Sequence, residues 1–228
     1  MKRLTLFCCL VGLLTALPIS GQKKAAGKKF FTSGFFDGIE MTSKESGDYG
    51  GIAVFLTQTE NDTYALVSIA EGVEADPVLV PVKVSGKTGR TVEFTYDTPS
   101  YGRKLLLKGT VRPDGLMLSG YGERSLIKRR CADAYSSISV GKESGDYGGM
   151  EVYLGDAGGT WYALVTLAEG VINAPVLVPA EVTGKNYDKI SFTLPGDRKF
   201  TGRLDPKGRT LTINEQGTTS VLRRKCYQ

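Results

Sequence analysis

The stretch KESGDYGG occupies residues 44–51 and recurs unchanged at residues 142–149, which is 98 positions later. The same offset aligns three further pairs of segments, YALV at 64–67 and 162–165, AEGV at 70–73 and 168–171, and PVLVP at 77–81 and 175–179. Near the C-terminus residues 125–131 align with residues 220–226, an offset of 95. A tandem duplication with one short deletion explains this pattern, because repeats at a fixed period mark one structural unit used twice.

Within each copy, apolar and other residues alternate with a period of two, which is typical of β-strands that bury one face. Ile52, Val54 and Leu56 show this pattern near the start of the first copy. Turn-forming sequences such as residues 113–115 and 206–208 separate the alternating runs. No stretch after residue 21 keeps the 3.6-residue period of a helix over about 11 residues. The chain is therefore predicted to be all-β.

We expect about eight short strands in each copy, in the first copy at residues 36–43, 50–57, 63–70, 78–85, 91–97, 103–111, 115–120 and 124–131. Short strands joined by tight turns favour two tandem homologous antiparallel β-barrel domains, with a barrel-like sandwich as the alternative. The closed barrel leaves no exposed edge strand. A single 16-stranded outer-membrane barrel fits less well, because the strands are short and their outward positions include charged residues.

The N-terminus has the features of a secretory signal peptide. Lys2 and Arg3 precede an apolar run from Leu4 to Leu17, which is too short to span a bilayer, and small residues follow. The predicted organisation is a signal peptide at 1–21, a basic N-terminal segment at 22–34, the first β repeat at 35–131 and the second at 132–228. We expect an exported protein, periplasmic or secreted, without a transmembrane segment.

The four cysteines fall into two groups. Cleavage after residue 21 removes Cys8 and Cys9, which lie inside the apolar run and not behind the small-residue box of a lipid-anchored protein. Cys131 and Cys226 remain in an oxidising compartment. Cys131 precedes the first strand of the second barrel and Cys226 ends its last strand, so both reach the same rim. A disulfide between them is predicted, with two unpaired buried thiols as the alternative.

The composition excludes several kinds of chemistry. The chain has no histidine, which removes Ser-His-Asp and Cys-His catalysis and the commonest transition-metal ligand. Its short basic cluster at residues 23–29 is terminal, whereas nucleic-acid binding needs a basic folded face. We therefore predict no catalytic residue, no metal, no cofactor and no nucleic-acid partner.

Two loops that occur in both copies supply the candidate binding residues. KESGDYGG joins the first and second strands and AEGV follows the third, so an up-and-down barrel places both at one end, which we call the mouth. The candidates are Asp48, Tyr49 and Glu71 in the first copy and Asp146, Tyr147 and Glu169 in the second. Tyrosine offers an amphipathic contact and carboxylates accept hydrogen bonds. The alternative is that the glycines and aspartates only form a tight turn.

The inward positions hold large apolar residues, so a ligand is expected at the mouth or between the barrels and not inside a barrel. Arg129 and Arg224, inward on the last strands, are expected to bond loop carbonyls and close the barrel base. We predict a non-enzymatic binding protein that uses two similar mouths to bind an envelope or extracellular protein, peptide or glycan. The alternatives are a structural or interaction subunit of a bacterial envelope assembly and, more distantly, a carboxylate-based hydrolase.

Overall fold

A computed structural model describes residues 33–98 and 102–226. The expected signal peptide and residues 22–32 of the basic segment lie outside this range. The described chain is all-β and forms two separate antiparallel sheets of nine strands each, not one 16-stranded sheet. No helix in the described part of the chain has the length and hydrophobicity needed to cross a bilayer.

The first sheet closes into an eight-stranded barrel with one extra short strand, and we call it barrel 1. Its strands are β1 (Gly34–Asp37), β2 (Glu40–Met41), β3 (Tyr49–Gln58), β4 (Thr63–Glu74), β5 (Val78–Ser85), β6 (Thr91–Asp97), β7 (Lys104–Val111), β8 (Gly115–Ser119) and β9 (Ser125–Arg130). From β2 to β9, neighbours in sequence pair with one another, and β1 pairs with both β3 and β9. This double pairing closes the sheet, so the predicted barrel is confirmed.

Barrel 2 repeats this order in the second copy. Its strands are β10 (Asp133–Ser136), β11 (Ser139–Val140), β12 (Tyr147–Ala157), β13 (Thr160–Ile172), β14 (Val176–Thr183), β15 (Lys189–Leu194), β16 (Arg198–Leu204), β17 (Thr210–Glu215) and β18 (Thr218–Lys225). The first strand β10 pairs with β12 and β18 and so closes this barrel in the same way. Barrel 2 therefore has the same topology as barrel 1.

The predicted first strand at 36–43 is interrupted. The structure divides it into β1 and β2, and between them the Gly38 N–H donates to the Ile52 carbonyl at 3.0 Å. Gly51, the last residue of the first KESGDYGG, has a φ of 123° and lies so close to the Gly38 carbonyl that a side chain there would collide with it. Gly149 meets the Ser137 carbonyl in the same way. This close approach explains one glycine of the repeated sequence.

Each barrel interior is filled by apolar side chains. In barrel 1, the side chains of Phe36, Leu107 and Leu116 are completely buried. In barrel 2, Phe200 and Leu211 are at most 1% exposed. The alternation places every second residue of a strand in this interior. The core of each barrel therefore comes from its own repeat.

The two inward arginines close the barrel bases as expected. Arg129 donates to the carbonyls of Ser33 at 3.1 Å and Arg112 at 3.5 Å, and its guanidinium lies 4.8 Å from the centre of the Phe36 ring. Burial lowers the pKa of Arg129. Arg224 donates to the Ala132 carbonyl at 3.4 Å in barrel 2.

A third apolar cluster joins the outer walls of the two barrels. Its members come from both repeats and are Phe35, Phe55, Leu66, Leu79, Ala132, Ala134, Tyr153, Leu164 and Leu177. Phe55 and Tyr153, which are 98 positions apart and so equivalent in the two copies, stack with ring centres 4.4 Å apart. Equivalent residues in mutual contact are the mark of an approximate two-fold arrangement. The barrels thus pack through the same face of each repeat.

The repeat boundary at residue 132 generates a prediction about folding. A fragment of residues 132–228 contains β10–β18 and their complete interior, so we expect it to fold alone. It should be less stable than the full chain, because Tyr153 and Leu164 no longer pack against the apolar side chains of barrel 1. Circular dichroism and proton NMR measure this, and a random-coil spectrum would show that the repeats fold only together.

Cys131 and Cys226 lie at disulfide distance, with Cα atoms 5.0 Å apart. Cys131 lies two residues before β10, Cys226 directly follows β18, and these two strands pair. The pair spans 95 residues, for which the chain-entropy estimate is about 4–5 kcal/mol as an upper figure.

We predict that the double variant Cys131→Ser/Cys226→Ser unfolds with a free energy lower by about 2–4 kcal/mol, because its unfolded chain is no longer constrained. Denaturant titration measures the loss. Intact-mass analysis of the wild type, purified without reducing agent, is the control, and two thiols that react with an alkylating agent would contradict the bond.

Candidate functional site

The structure brings the two repeated loops of each barrel together. Tyr49 is the register partner of Gly72, and Gly50 that of Glu71, so KESGDYGG lies beside AEGV. The second barrel pairs Tyr147 with Gly170 in the same way. We expected AEGV to form a loop, and this expectation is wrong. AEGV lies at the end of β4 in barrel 1 and of β13 in barrel 2, because these strands continue along the start of β3 and β12.

The aspartates of the mouths take part in their own turns. The Asp48 carbonyl accepts from the Thr42 N–H at 2.8 Å, and its carboxylate accepts from the Ser46 hydroxyl. The Asp146 carbonyl accepts from the Gly141 N–H at 2.8 Å. The Asp48 side chain therefore supports its turn, whereas Asp146 contributes to its turn through the backbone.

The mouths differ in the groups around their glutamates. In barrel 2, the Arg198 guanidinium donates a hydrogen bond to the Glu169 carboxylate at 3.1 Å. It also donates two to the Glu215 carboxylate, at 2.7 and 3.1 Å. These two carboxylates raise the pKa of Arg198. In barrel 1, Glu71 has no ion-pair partner among the described residues, and its charge raises the pKa of Tyr96 and Tyr121 after the larger effect of burial. The two mouths thus share a backbone but differ in charge arrangement.

A cleft of about 310 Å³ lies between the barrels, and we call it the inter-barrel cleft. Its wall from barrel 1 consists of outward residues of β1, β3 and β4, and its wall from barrel 2 comes from β10, β12 and β13. Phe35, Phe55 and Tyr153 give it an aromatic floor, in which the Phe35 and Tyr153 rings are tilted with centres 6.0 Å apart. At one side the Tyr162 hydroxyl donates to Asp76 at 2.7 Å and ties the barrels together.

Four carboxylates surround this floor. Asp37 and Glu74 come from barrel 1, and Asp133 and Asp156 come from barrel 2. All four raise the pKa of Tyr153, although burial is the largest cause and places that pKa well above its usual value. The Tyr153 phenol is therefore neutral at physiological pH, and the groups that surround it are acidic.

Glu74 is the carboxylate most affected by this setting. Burial raises its pKa, and the nearby charges of Asp156 and Asp37 raise it further, whereas a hydrogen bond from Ser68 at 2.8 Å acts in the opposite direction. Ser68 is itself buried and also donates to the Ala75 carbonyl at 3.1 Å. Glu74 is thus held in place on β4 while its charge is disfavoured.

The space between the barrels was predicted from the sequence as a possible ligand site, but the residues that line it were not predicted as binding residues. One signal was present. The run IAVFL at residues 52–56 is apolar at every position, which is typical of a strand buried on both faces, and β3 is indeed buried on both faces there. The outward residues of this run, Ala53 and Phe55, line the cleft.

The raised pKa of Glu74 predicts a specific pH dependence of stability. In the unfolded chain Glu74 loses its proton near pH 4.5, whereas the folded protein keeps that proton to higher pH. The folded state therefore binds more protons in this window, so the free energy of unfolding falls as the pH rises through it. Glu74→Gln should remove this contribution, and its melting temperature should rise relative to wild type between pH 4.5 and neutral pH.

Thermal melts at several pH values measure the effect. Glu123→Gln, which changes an exposed carboxylate outside the cleft, is the matched control and should follow the wild-type profile. Parallel profiles for the wild type and Glu74→Gln would contradict the prediction.

No group of three or more cysteine, aspartate or glutamate side chains in the described ranges is arranged to hold a metal ion. Comparisons of the chain with protein-family models, curated proteins and solved structures found no match. A fold does not by itself specify a function, which depends on the residues of a site, here those of the cleft and the mouths.

Proposed function

We propose that this chain is an exported, non-enzymatic binding protein whose principal ligand site is the inter-barrel cleft. The observation that carries the proposal is the cleft itself, a concave space with an aromatic floor and four carboxylates around it. Concave sites that combine apolar surface with polar groups able to orient a ligand are typical of small-molecule sites. Sites at domain interfaces are also common for such ligands.

The dimensions of the cleft limit what it can hold. A volume of about 310 Å³ is at the lower end of ligand pockets. It suits a small molecule or one side chain of a peptide, whereas a folded partner would need a larger surface. Gly155 keeps the cleft open, because a side chain at this position would reach within 2.9 Å of the Tyr153 hydroxyl oxygen.

Recognition of a protein or peptide of the envelope or exterior by the mouths is the second candidate function. Each mouth exposes apolar side chains at two equivalent places, Met41 and Val73 in barrel 1 and Val140 and Val171 in barrel 2, and barrel 1 also exposes Tyr49. Val73 is 75% exposed, and exposed apolar residues that cluster mark interaction surfaces. The salt-bridged Arg198 makes the second mouth chemically different from the first, so the two would not be interchangeable.

One experiment separates the two candidates. The probes are benzylammonium, benzyl alcohol and benzoate, which share an aromatic body and differ in charge. Titration calorimetry measures the affinity of each probe. We expect at least one probe to bind the full-length protein and to lose about tenfold or more in affinity in Gly155→Val, which fills the cleft.

The matched control is Gly148→Val on the same strand, where an added side chain meets open space at the mouth. It should bind the probes like the wild type. Loss of binding in Gly148→Val with retention in Gly155→Val would assign the site to the mouth. Unchanged binding in Gly155→Val would remove the cleft as the site.

A further inference from the structure

We infer that the group recognised in the inter-barrel cleft is an organic cation, a substituted ammonium or guanidinium attached to an apolar body. This inference rests on the proposed function of the cleft and specifies its ligand class. Three independent features support it, namely the charges of the cleft, the Tyr153 hydroxyl that lies in it, and the divergence of the two repeats at this place.

The first feature is an excess of negative charge without compensation. No lysine or arginine of the described chain forms an ion pair with Asp37, Glu74 or Asp156, while Asp133 pairs with Arg224 at 2.6 Å. The Asp37 carboxylate accepts the Ile39 N–H at 3.1 Å, and Glu74 accepts from Ser68. Glu74 is half-buried, and the charges of Asp156 and Asp37 oppose its own, so a bound cation would relieve this repulsion.

The second feature is the Tyr153 hydroxyl. Its ring is packed between Phe35 and Phe55, yet the hydroxyl has no hydrogen-bond partner among the described residues and faces the cleft. Because this phenol oxygen is not fully buried, a ligand in the cleft can reach it. A neutral phenol oxygen can accept from an ammonium or guanidinium N–H, which both satisfies the hydroxyl and adds a donor contact to the carboxylates.

The third feature comes from the duplication. At the 98-residue offset, Glu74 corresponds to Ile172 and Asp156 corresponds to Gln58. Asp37 is the register partner of Ala53, and Ser136 is the register partner of Glu151, which is the residue equivalent to Ala53. Ser136 therefore takes the place of Asp37 in the second repeat. Both repeats form the same barrel, which shows that the fold does not require these acids. Residues that the fold does not require, drawn from separate strands and both barrels, nevertheless gather in one cleft.

The arrangement favours an organic cation over a metal ion. The carboxylates surround the cleft without converging, and no set among the described residues has the proximity of a metal centre. A hard metal ion prefers several oxygen ligands at short distance. An organic cation needs only a negative surrounding, and its apolar body can lie on the aromatic floor, where ring faces also attract positive charge.

The test uses the same full-length protein with two matched probe sets. Benzylammonium is compared with benzyl alcohol and benzoate, and N-acetyl-arginine amide with its uncharged analogue N-acetyl-citrulline amide. Titration calorimetry at neutral pH and low salt measures each affinity. We expect each cation to bind about tenfold or more tightly than its neutral analogue, because a charged hydrogen bond in a desolvated site adds this much. Added salt should weaken the cations only.

The variants assign the effect to the cleft. Glu74→Gln and Asp156→Asn should each reduce cation affinity by about threefold to tenfold and leave the neutral analogues unchanged. Tyr153→Phe should reduce it as well, with the stacking retained. Glu123→Gln, which alters an exposed carboxylate outside the cleft, is the charge-matched control and should bind like the wild type. Melting temperatures verify that each variant is folded.

The outcomes separate the inference from the proposed function. If neutral or anionic probes bind as tightly as the cations and Gly155→Val abolishes this, the cleft is a binding site but the cationic preference is wrong. If cation binding persists in Gly155→Val, or no probe binds, the cleft is not the site and both proposals fail. If Glu123→Gln weakens the cations as much as Glu74→Gln does, the effect is general charge attraction, which overturns the inference.

Discussion

The architecture depends on one four-residue strand, β1, which pairs with β3 on one side and with β9 on the other. Without this double pairing the sheet would have two open edges, and its inner face would not be enclosed. The same strand alternates its side chains across the wall. Phe36 points into the barrel core, whereas Phe35 and Asp37 point outward and line the inter-barrel cleft. Closure of the barrel and construction of the cleft are therefore coupled in one strand.

The second constraint is the contact between equivalent faces of the repeats. The stack of Phe55 on Tyr153 lies where the two barrels meet, and Leu66 and Leu164 accompany it as another equivalent pair. Such a two-fold contact would produce equal grooves on its two sides if the repeats were identical. They are not identical, because Glu74 stands where the second repeat has Ile172. Divergence after duplication thus gives one side of the contact its acidic character.

Charged side chains have different partners in three regions of the molecule. At the barrel bases, Arg129 and Arg224 bond backbone carbonyls and complete the fold. At the second mouth, Arg198 neutralises two glutamates. In the cleft, three carboxylates have no basic partner among the described residues. Since uncompensated charges in a partly buried setting reduce stability, their presence there points to a role other than folding.

The sequence by itself determined the class of fold, the duplication, most strand positions and the rim shared by Cys131 and Cys226. Alternation and turn residues report which strands exist and which of their faces is apolar, and these are local properties. Only the tertiary structure decided which outward faces are covered, and that Asp37, Glu74, Asp133 and Asp156 surround one cleft. Those residues belong to different strands of two barrels, so their proximity depends on how one barrel packs against the other, which no local pattern encodes.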